Sequence, residues 1–401
     1  MERILEKAKQ LSLLKTSQHL PDYKRFLFKK IFNSNSKVIG IYGARGVGKT
    51  TLMLQLLKTW NLSHKEALYI SCDHPLFLDI NLFEFLEDFY KKGGKIIILD
   101  EIHKIKNFQN HLKSAYDFLN LKIIFSGSSA LSITNPDFTR RFSMYRLPVL
   151  SLREYIELCY NISFKSFNLD DIILNHELIA EEIIKKLYDE RILKIFDEYI
   201  ENGAYPFYFE DKDKYIDRLY ETINAVLYYD LAEIYKIKPE KIHILKKLLA
   251  TICVSKPMEL SIEKLSKIMK TTKTTLYKYL EYLSRAELII HISHEAKRFK
   301  SIRKPDKLYL ANTNLFNALC INKDIGTVRE TFFASMIGYN NSIFYNEKTD
   351  FLVNEKYHFE VGGKNKDFSQ IRNINNAYLA IDGIELGYQN KIPLWLFGFL
   401  Y

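Results

Sequence analysis

Over the first 130 residues, short continuous apolar runs alternate with stretches in which apolar residues recur at helical spacing. Residues 37–42 (KVIGIY), 67–71 (ALYIS), 95–99 (KIIIL) and 121–125 (LKIIF) are of the first kind. Such runs predict strands buried on both faces, as in a parallel sheet. Residues 51–60, 79–90 and 107–119 are of the second kind and predict helices between those strands. Beyond residue 150 the period changes. Residues 151–235 read as mostly helical, with 172–188 and 215–235 apolar at i, i+3, i+4 and i+7 and a turn at Gly203 and Pro206. Three further helices are expected over 241–253, 261–269 (opened by Ser261) and 271–283, then strands over 287–292 and 307–310. The last ninety residues combine a helix over 328–337 with β-prone runs at 342–345, 350–352, 356–361 and 377–381 and a terminal strand over 394–401. The pattern divides the chain into 1–150, 151–235, 236–310 and 311–401.

The turn between the first strand and its helix reads Gly43-Ala44-Arg45-Gly46-Val47-Gly48-Lys49-Thr50, a complete G-x-x-x-x-G-K-[ST] phosphate-binding loop in strand–loop–helix context. Its glycines let successive backbone N–H groups turn toward phosphate oxygens. Lys49 can neutralise the outer phosphates and the Thr50 hydroxyl can ligate Mg²⁺. The loop, with Thr51, supplies the candidate contacts for ATP. About fifty residues on, the buried run 95–99 ends on Asp100-Glu101, at the edge of an α/β sheet where ligands collect. Asp100 is the candidate metal carboxylate and Glu101 the candidate base for the attacking water. The run 121–125 ends in Ser126-Gly127-Ser128-Ser129. Ser126 or Ser128 is a candidate γ-phosphate sensor, with a Ser-rich helix cap as the plain alternative. Arg141 follows Arg140. An arginine at this point can face a neighbouring subunit's nucleotide or the same subunit's phosphates, with an ordinary surface pair as the plain alternative, so a homo-oligomer is one arrangement the sequence allows.

Composition narrows the class. The 401 residues are 47% hydrophobic and 14% aromatic, enough for several cores and contrary to extended disorder. No charge-free apolar stretch is long enough to span a bilayer, and the N-terminal residues have the mixed charge of an amphipathic helix rather than of a secretory signal. Cys72, Cys159, Cys253 and Cys320 lack C-x-x-C spacing and indicate neither zinc nor a disulfide framework, which leaves a reducing cytoplasm as the expected location. The net charge of +10 is local. Residues 236–307 hold 18 Lys and Arg against 7 Asp and Glu, while the rest of the chain holds 40 against 41. A concentrated basic segment suits a polyanion. It coincides with the expected helix-turn-helix, whose last helix opens with Thr271, Thr272, Lys273, Thr274, Thr275 and Lys278. Lys297, Arg298, Lys300, Arg303 and Lys304 would lie on the wing. Duplex DNA contacted through residues 261–304 is the expected partner. The alternative is a packing or protein-interaction module.

On the segments GARGVGKTTL, IIILDEIHK and FSGSSAL, on Leu147 to Tyr155 (LPVLSLREY) and on Tyr199 to Phe207 (YIENGAYPF), the chain resembles a prokaryotic family of AAA-type P-loop ATPases. The resemblance implies a fold of class α/β. A P-loop core with helices on both faces of a parallel sheet is followed by a helical lid, a winged helix and a small α/β domain like the restriction endonucleases. In that last fold an Asp and a later Glu-x-Lys bind Mg²⁺. Glu330, Asp350 and Glu360 match the carboxylates, but Gly362 stands where the lysine should be, and Lys364 lies past two glycines. Gln370 follows one turn into the next segment. A tail that binds without cutting is the expectation. The whole reads as a Mg²⁺-dependent, DNA-associated ATPase of the cytoplasm. The second reading is a nucleotide-controlled switch for a protein partner.

Overall fold

The computed structural model describes residues 2–128, 140–188, 190–256, 261–295 and 307–401, which fall into two compact units, 1–148 and 149–401. In the first unit, α1 (Glu2–Thr16) and α2 (Leu27–Phe32) precede β1 (Val38–Gly43), α3 (Lys49–Trp60), β2 (Ala67–Ser71), α4 (Leu82–Lys91), β3 (Ile96–Asp100), α5 (Phe108–Phe118), β4 (Lys122–Ser128) and β5 (Ser143–Arg146). The five strands form a parallel sheet in the order β2-β3-β4-β1-β5. Strand alternation buries both faces. Ile97 and Leu99 enter a cluster with Leu5 and Ala8 of α1, Phe85 and Phe89 of α4, and Leu112 of α5, while Ile96 and Ile98 are buried on the other side. β1 lies inside the sheet, so its carboxyl end opens into the crevice where the chain leaves for the far edge. β2 is an edge strand. Its Tyr69 N–H, which has no strand partner on that side, donates to Ser12 Oγ of α1 at 3.0 Å.

The second unit begins with α6 (Leu152–Tyr160), α7 (Leu169–Leu187) and α8 (Ile192–Asn202). Capping boxes open α6 (Ser151, Glu154) and α7 (Asn168, Asp171). The run expected over 215–235 is helical throughout but not uniform: α9 (Tyr215–Ala225) passes through a π-helix, Val226–Leu231, into α10 (Ala232–Tyr235). Hydrophobic spacing does not separate an i+4 ladder from an i+5 one, so the bulge is silent in the sequence. Next come α11 (Pro239–Val254), α12 (Ile262–Ile268), α13 (Lys273–Arg285) and the antiparallel pair β6 (Ile289–Ile292) and β7 (Lys307–Leu310). Then α14 (Asn314–Leu319) and α15 (Ile325–Ile337) lead to a second sheet, β8 (Ile343–Phe344), β9 (Phe351–Val353), β10 (Tyr357–Gly362), β11 (Ala377–Ile381) and β12 (Lys391–Pro393), in sequential order. β8, β9 and β10 are antiparallel, whereas β10, β11 and β12 run parallel.

The two segments most particular to the family resemblance are structural. Arg153 Nε and Ser151 Oγ both donate to the Tyr401 carbonyl at 2.9 Å, and Tyr199 OH donates to the Leu150 carbonyl at 2.6 Å. Asn314, fully buried, donates to the last-turn carbonyls of Tyr199 (3.1 Å) and Ile200 (2.8 Å) and accepts from Ala204 N (2.8 Å) and Tyr215 OH (2.5 Å). It thereby adds a donor to the last-turn carbonyls of α8, that of Tyr199 being shared with the Gly203 N–H at 2.8 Å. Two expectations are corrected here. The terminal strand over 394–401 is instead a 3₁₀ helix, Leu394–Phe399, with all six residues buried. A segment enclosed on every side has no polar face to betray its period. The cysteines, expected to be unpaired, include a disulfide between Cys253 at the end of α11 and Cys320 just after α14, with Cα atoms 5.8 Å apart. The packing of the two helices makes this bond, and a spacing of 67 residues does not reveal it. Among the described residues no helix is long and apolar enough to cross a membrane.

Candidate active site

The loop after β1 has the backbone its glycines are there to permit. Gly46 and Gly48 have φ of 87° and 94°, a region that a β-carbon disfavours. At Gly43 a β-carbon would lie 2.1 Å from the Leu147 carbonyl oxygen. Gly48 is the N-cap of α3, and no side chain caps that end. The first N–H groups of α3, which have no carbonyl within the helix, are thus left to an anion. Lys49 is buried and its Nζ donates to the Gly43 and Ala44 carbonyls at 2.9 Å each, inside the curl of the loop. Ala44 and Val47 are buried, whereas Arg45 is exposed. The curl is pinned from behind by Arg25, whose guanidinium donates to the Val47 carbonyl at 2.7 Å and the Pro148 carbonyl at 2.9 Å. Arg25 lies well ahead of the motif, and no sequence signal marks it.

Asp100 stands at the carboxyl end of β3, buried and surrounded by donors. Thr50 Oγ1 donates to its Oδ2 at 2.6 Å and Tyr69 OH to the same oxygen at 2.8 Å. Ser126 Oγ donates to Oδ1, and the Glu101 N–H reaches the same oxygen at 3.1 Å and Ser126 Oγ at 3.0 Å. Glu101 has φ of 52°, so the chain turns sharply as it leaves the strand. Its Oε2 lies 3.3 Å from Nδ1 of the buried His103. The structure therefore gathers Lys49, Thr50, Asp100, Glu101 and Ser126 at one sheet edge, with Thr51 in the first turn of α3. Ser128 ends β4 opposite Gly43, and its side chain lies outside the described residues.

Arg141 is not gathered in. Ser143 pairs with Ile39 near the start of β1, and Arg141 Nε lies 3.9 Å from Asp117 Oδ1 at the end of α5. This is the amino edge of the sheet, about 13 Å of strand from Gly43. Order along the chain fixes which strand a residue precedes, and a residue entering a parallel strand begins at the edge opposite the phosphates.

In the second unit, α12 and α13 form a helix-turn-helix followed by the β6–β7 pair. Ser261 accepts from Lys264 N at 3.1 Å and Thr272 from Thr275 N at 3.2 Å, which caps both helices. Leu276, Leu280 and Leu283 face the core, and Thr272, Lys273, Thr274, Tyr277, Lys278 and Glu281 face outward. Lys297, Arg298, Lys300, Arg303 and Lys304 lie outside the described residues.

The tail carboxylates, far apart in sequence, converge. Asp350 N donates to Glu360 Oε1 at 3.1 Å, and Lys307 Nζ lies 3.2 Å from Asp350 Oδ1 and 4.0 Å from Glu330 Oε2. Burial, reinforced by the charge of Asp350, pushes the Glu330 carboxyl up to about 7. The same two causes raise Glu360. The cation on Glu360 comes from Lys366, whose Nζ lies 2.7 Å from Glu360 Oε2 and donates to Gln370 Oε1 at 2.7 Å. The lysine expected at 362 or 364 stands instead at 366. The usable signal was the glycine itself, an open position with a lysine one turn later.

Residues 35–156 match the family described as the AAA domain, and residues 193–326 match a domain of unknown function, DUF8612. The chain is 28% identical over 397 residues to the uncharacterized protein MJ1637 of Methanocaldococcus jannaschii, covering 91% of this chain and 83% of that protein. Among solved structures it is similar to the Walker-type ATPase paby2304 of Pyrococcus abyssi, with a TM-score of 0.43, 17% identity and coverage of 76% of this chain and 100% of that one. It is also similar to AMPPCP-bound DnaA from Aquifex aeolicus, with a TM-score of 0.27, 14% identity and coverage of 70% and 90%. In its match to the AAA domain over residues 35–156, its phosphate-loop sequence and its parallel sheet, the first part of this chain is similar to P-loop domains of the AAA type.

Proposed function

We propose that the first unit binds and hydrolyses ATP with Mg²⁺, and that the second associates with duplex DNA through the basic helix-turn-helix. The observation that carries the first half is the Thr50–Asp100 pair, a hydroxyl and a carboxylate 2.6 Å apart beside a helix end without a cap. Hard oxygen donors of this kind suit Mg²⁺, and the residues fit the ion. Bound there, it would offset charge on the β- and γ-phosphates.

The chain's own groups divide the remaining work. The α3 N–H groups and Lys49 bind the phosphates, with Gly43 to Thr51 forming the cradle. Asp100 is oriented by its donors. Glu101, at the mouth of the site, takes the proton of the attacking water. Ser126, bonded to Asp100 and to the Glu101 backbone, couples the state of that centre to β4. Arg141, near the amino edge of the sheet beside Asp117, takes no part in these steps within its own chain.

For the second half the support is charge and shape. Residues 236–307 hold the basic excess of the chain, and α13 turns Lys273, Thr274, Tyr277 and Lys278 outward. We read this segment as a winged helix and the tail as a nuclease-like fold that binds without cutting. The test is ATP turnover with and without duplex DNA, together with DNA affinity between about 50 and 200 mM salt. Stimulation by DNA and a steep fall in affinity with salt are expected. Turnover indifferent to DNA and no salt-dependent binding would refute the DNA half while leaving the ATPase half standing.

A further inference from the structure

Tyr69 belongs to none of the motifs above, yet it is bonded to the centre of the site. It lies on β2, between Leu68 and Ile70, which face the cluster with α1 and α4. Alternation sends Tyr69 to the opposite face of the sheet, where its hydroxyl donates to Asp100 Oδ2 at 2.8 Å. That oxygen is the one Thr50 also addresses. The ring is 5% exposed. As the donor of that bond, the phenol O–H can orient the carboxylate from behind the oxygen that Thr50 also addresses.

The main chain of Tyr69 is held independently. Its N–H donates to Ser12 Oγ at 3.0 Å, and Ser12 is fully buried on α1. α1 lies ahead of residues 35–156, the part that matches the AAA domain. A continuous line of contacts therefore runs from α1 through the edge strand to Asp100. Ser12 fixes where β2 sits, and the Tyr69 hydroxyl fixes the rotation of the Asp100 carboxylate.

We propose that Tyr69 is a positioning residue for Asp100, that it sets how strongly Mg²⁺ and nucleotide bind together, and that Ser12 of α1 anchors it. The proposal rests on the nucleotide reading above. Tyr69→Phe keeps the ring and removes the hydroxyl that bonds Asp100. The measurement is the affinity of the full chain for a fluorescent ATP analogue with and without Mg²⁺, alongside turnover and thermal unfolding. In the variant, affinity without Mg²⁺ should match the wild type, and the gain in affinity on adding Mg²⁺ should fall about tenfold, as expected for a hydrogen bond to a charged group. Turnover should fall with it. Ser12→Ala, which leaves the phenol in place, should give the same loss in weaker form.

A Tyr69→Phe protein with the wild-type Mg²⁺ gain would overturn the proposal, even if its melting temperature were lower, because that is the result of a purely structural role. If Tyr69→Phe does not fold, Ser12→Ala carries the test by the same readout, and an unchanged Mg²⁺ gain there overturns it. A wild-type chain that shows no Mg²⁺-linked nucleotide affinity would instead refute the nucleotide reading itself, before any variant is compared.

Discussion

Lys366 reaches Glu360 by passing over Gly362. Its Nζ lies 2.7 Å from Glu360 Oε2, and a β-carbon at residue 362 would fall 2.8 Å from the Lys366 Cβ. The glycine is thus the room the lysine stem occupies. Lys366→Met keeps the stem and removes the charge, leaving a buried carboxylate beside Asp350. We expect a loss of about 2 kcal/mol in urea unfolding, the cost of an uncompensated buried polar group. Adding Glu360→Gln to that variant should restore most of it, since an amide needs no cation.

The same arrangement bears on cleavage. Glu360 and Asp350 each have a lysine ammonium at ion-pair distance, and burial raises the Glu330 carboxyl toward its protonated form. A divalent cation would have to displace both ammonium groups and a proton. Supercoiled plasmid incubated with Mg²⁺ or Mn²⁺ should therefore remain supercoiled at pH 7, with the wild type and with Glu360→Ala alike. Nicking by the wild type alone, read on an agarose gel, would reverse this.

Glu330 should also give the second unit a pH signature. Its carboxyl lies at about 7 in the folded chain against an ordinary 4.5, so the folded state holds a proton that the unfolded state has released between those values. Stability from this group is fully present below pH 4.5 and is lost as pH rises through 7. Glu330→Gln cannot ionise and still accepts from Tyr309, whose hydroxyl donates to Glu330 Oε2 at 2.6 Å. Its melting temperature should equal or exceed that of the wild type at pH 8, and its fall between pH 5 and 8 should be shallower, measured by circular dichroism.

How much of this was legible in the sequence depends on whether the information is local. Four of the first unit's five strands are, because four or five consecutive apolar residues admit few other fates, whereas β5 (Ser143–Arg146) has no such run. The segment 67–71 matches β2 residue for residue. Lys49, Thr50, Asp100 and Glu101 come from two short motifs placed at strand ends, so order along the chain brings them to one sheet edge. Tyr69, Arg25 and Asn314 were illegible. Each acts through one contact made across the fold, and nothing in its neighbours marks it. Lys366 was half legible, since the missing side chain at 362 was visible but the direction of the following loop was not. The 3₁₀ end and the Cys253–Cys320 bond belong to packing alone.

The phosphate loop gives two contrasting variants. Lys49→Ala removes the ammonium now held by the Gly43 and Ala44 carbonyls, and nucleotide binding should be lost, because the loop's other cation, Arg45, is exposed rather than buried inside the curl. Glu101→Gln keeps size and shape but cannot take a proton from water. It should bind ATP with near-wild-type affinity and turn it over at least about a hundredfold more slowly, in line with loss of a general base. Calorimetry separates the two from each other, and a phosphate-release assay reads the second. Normal turnover in Glu101→Gln would move the base to another residue.

The disulfide makes the last prediction quantitative. Cys253 and Cys320 close a loop of 67 residues that contains α12, α13 and the β6–β7 pair. Holding the ends of that loop together restricts the unfolded chain and is worth about 4 kcal/mol on the chain-entropy scale. Cys253→Ala, or reduction under mild denaturant, should lower the urea midpoint by a corresponding amount. The effect should fall on the second unit, since both cysteines lie within 149–401. Because the loop encloses the whole helix-turn-helix, the reduced chain should also lose DNA affinity at temperatures where the first unit still binds nucleotide. Binding of a labelled duplex and of an ATP analogue, followed in parallel across a temperature series with and without reductant, checks both halves. Coincident loss of the two activities would show that the two units do not melt separately.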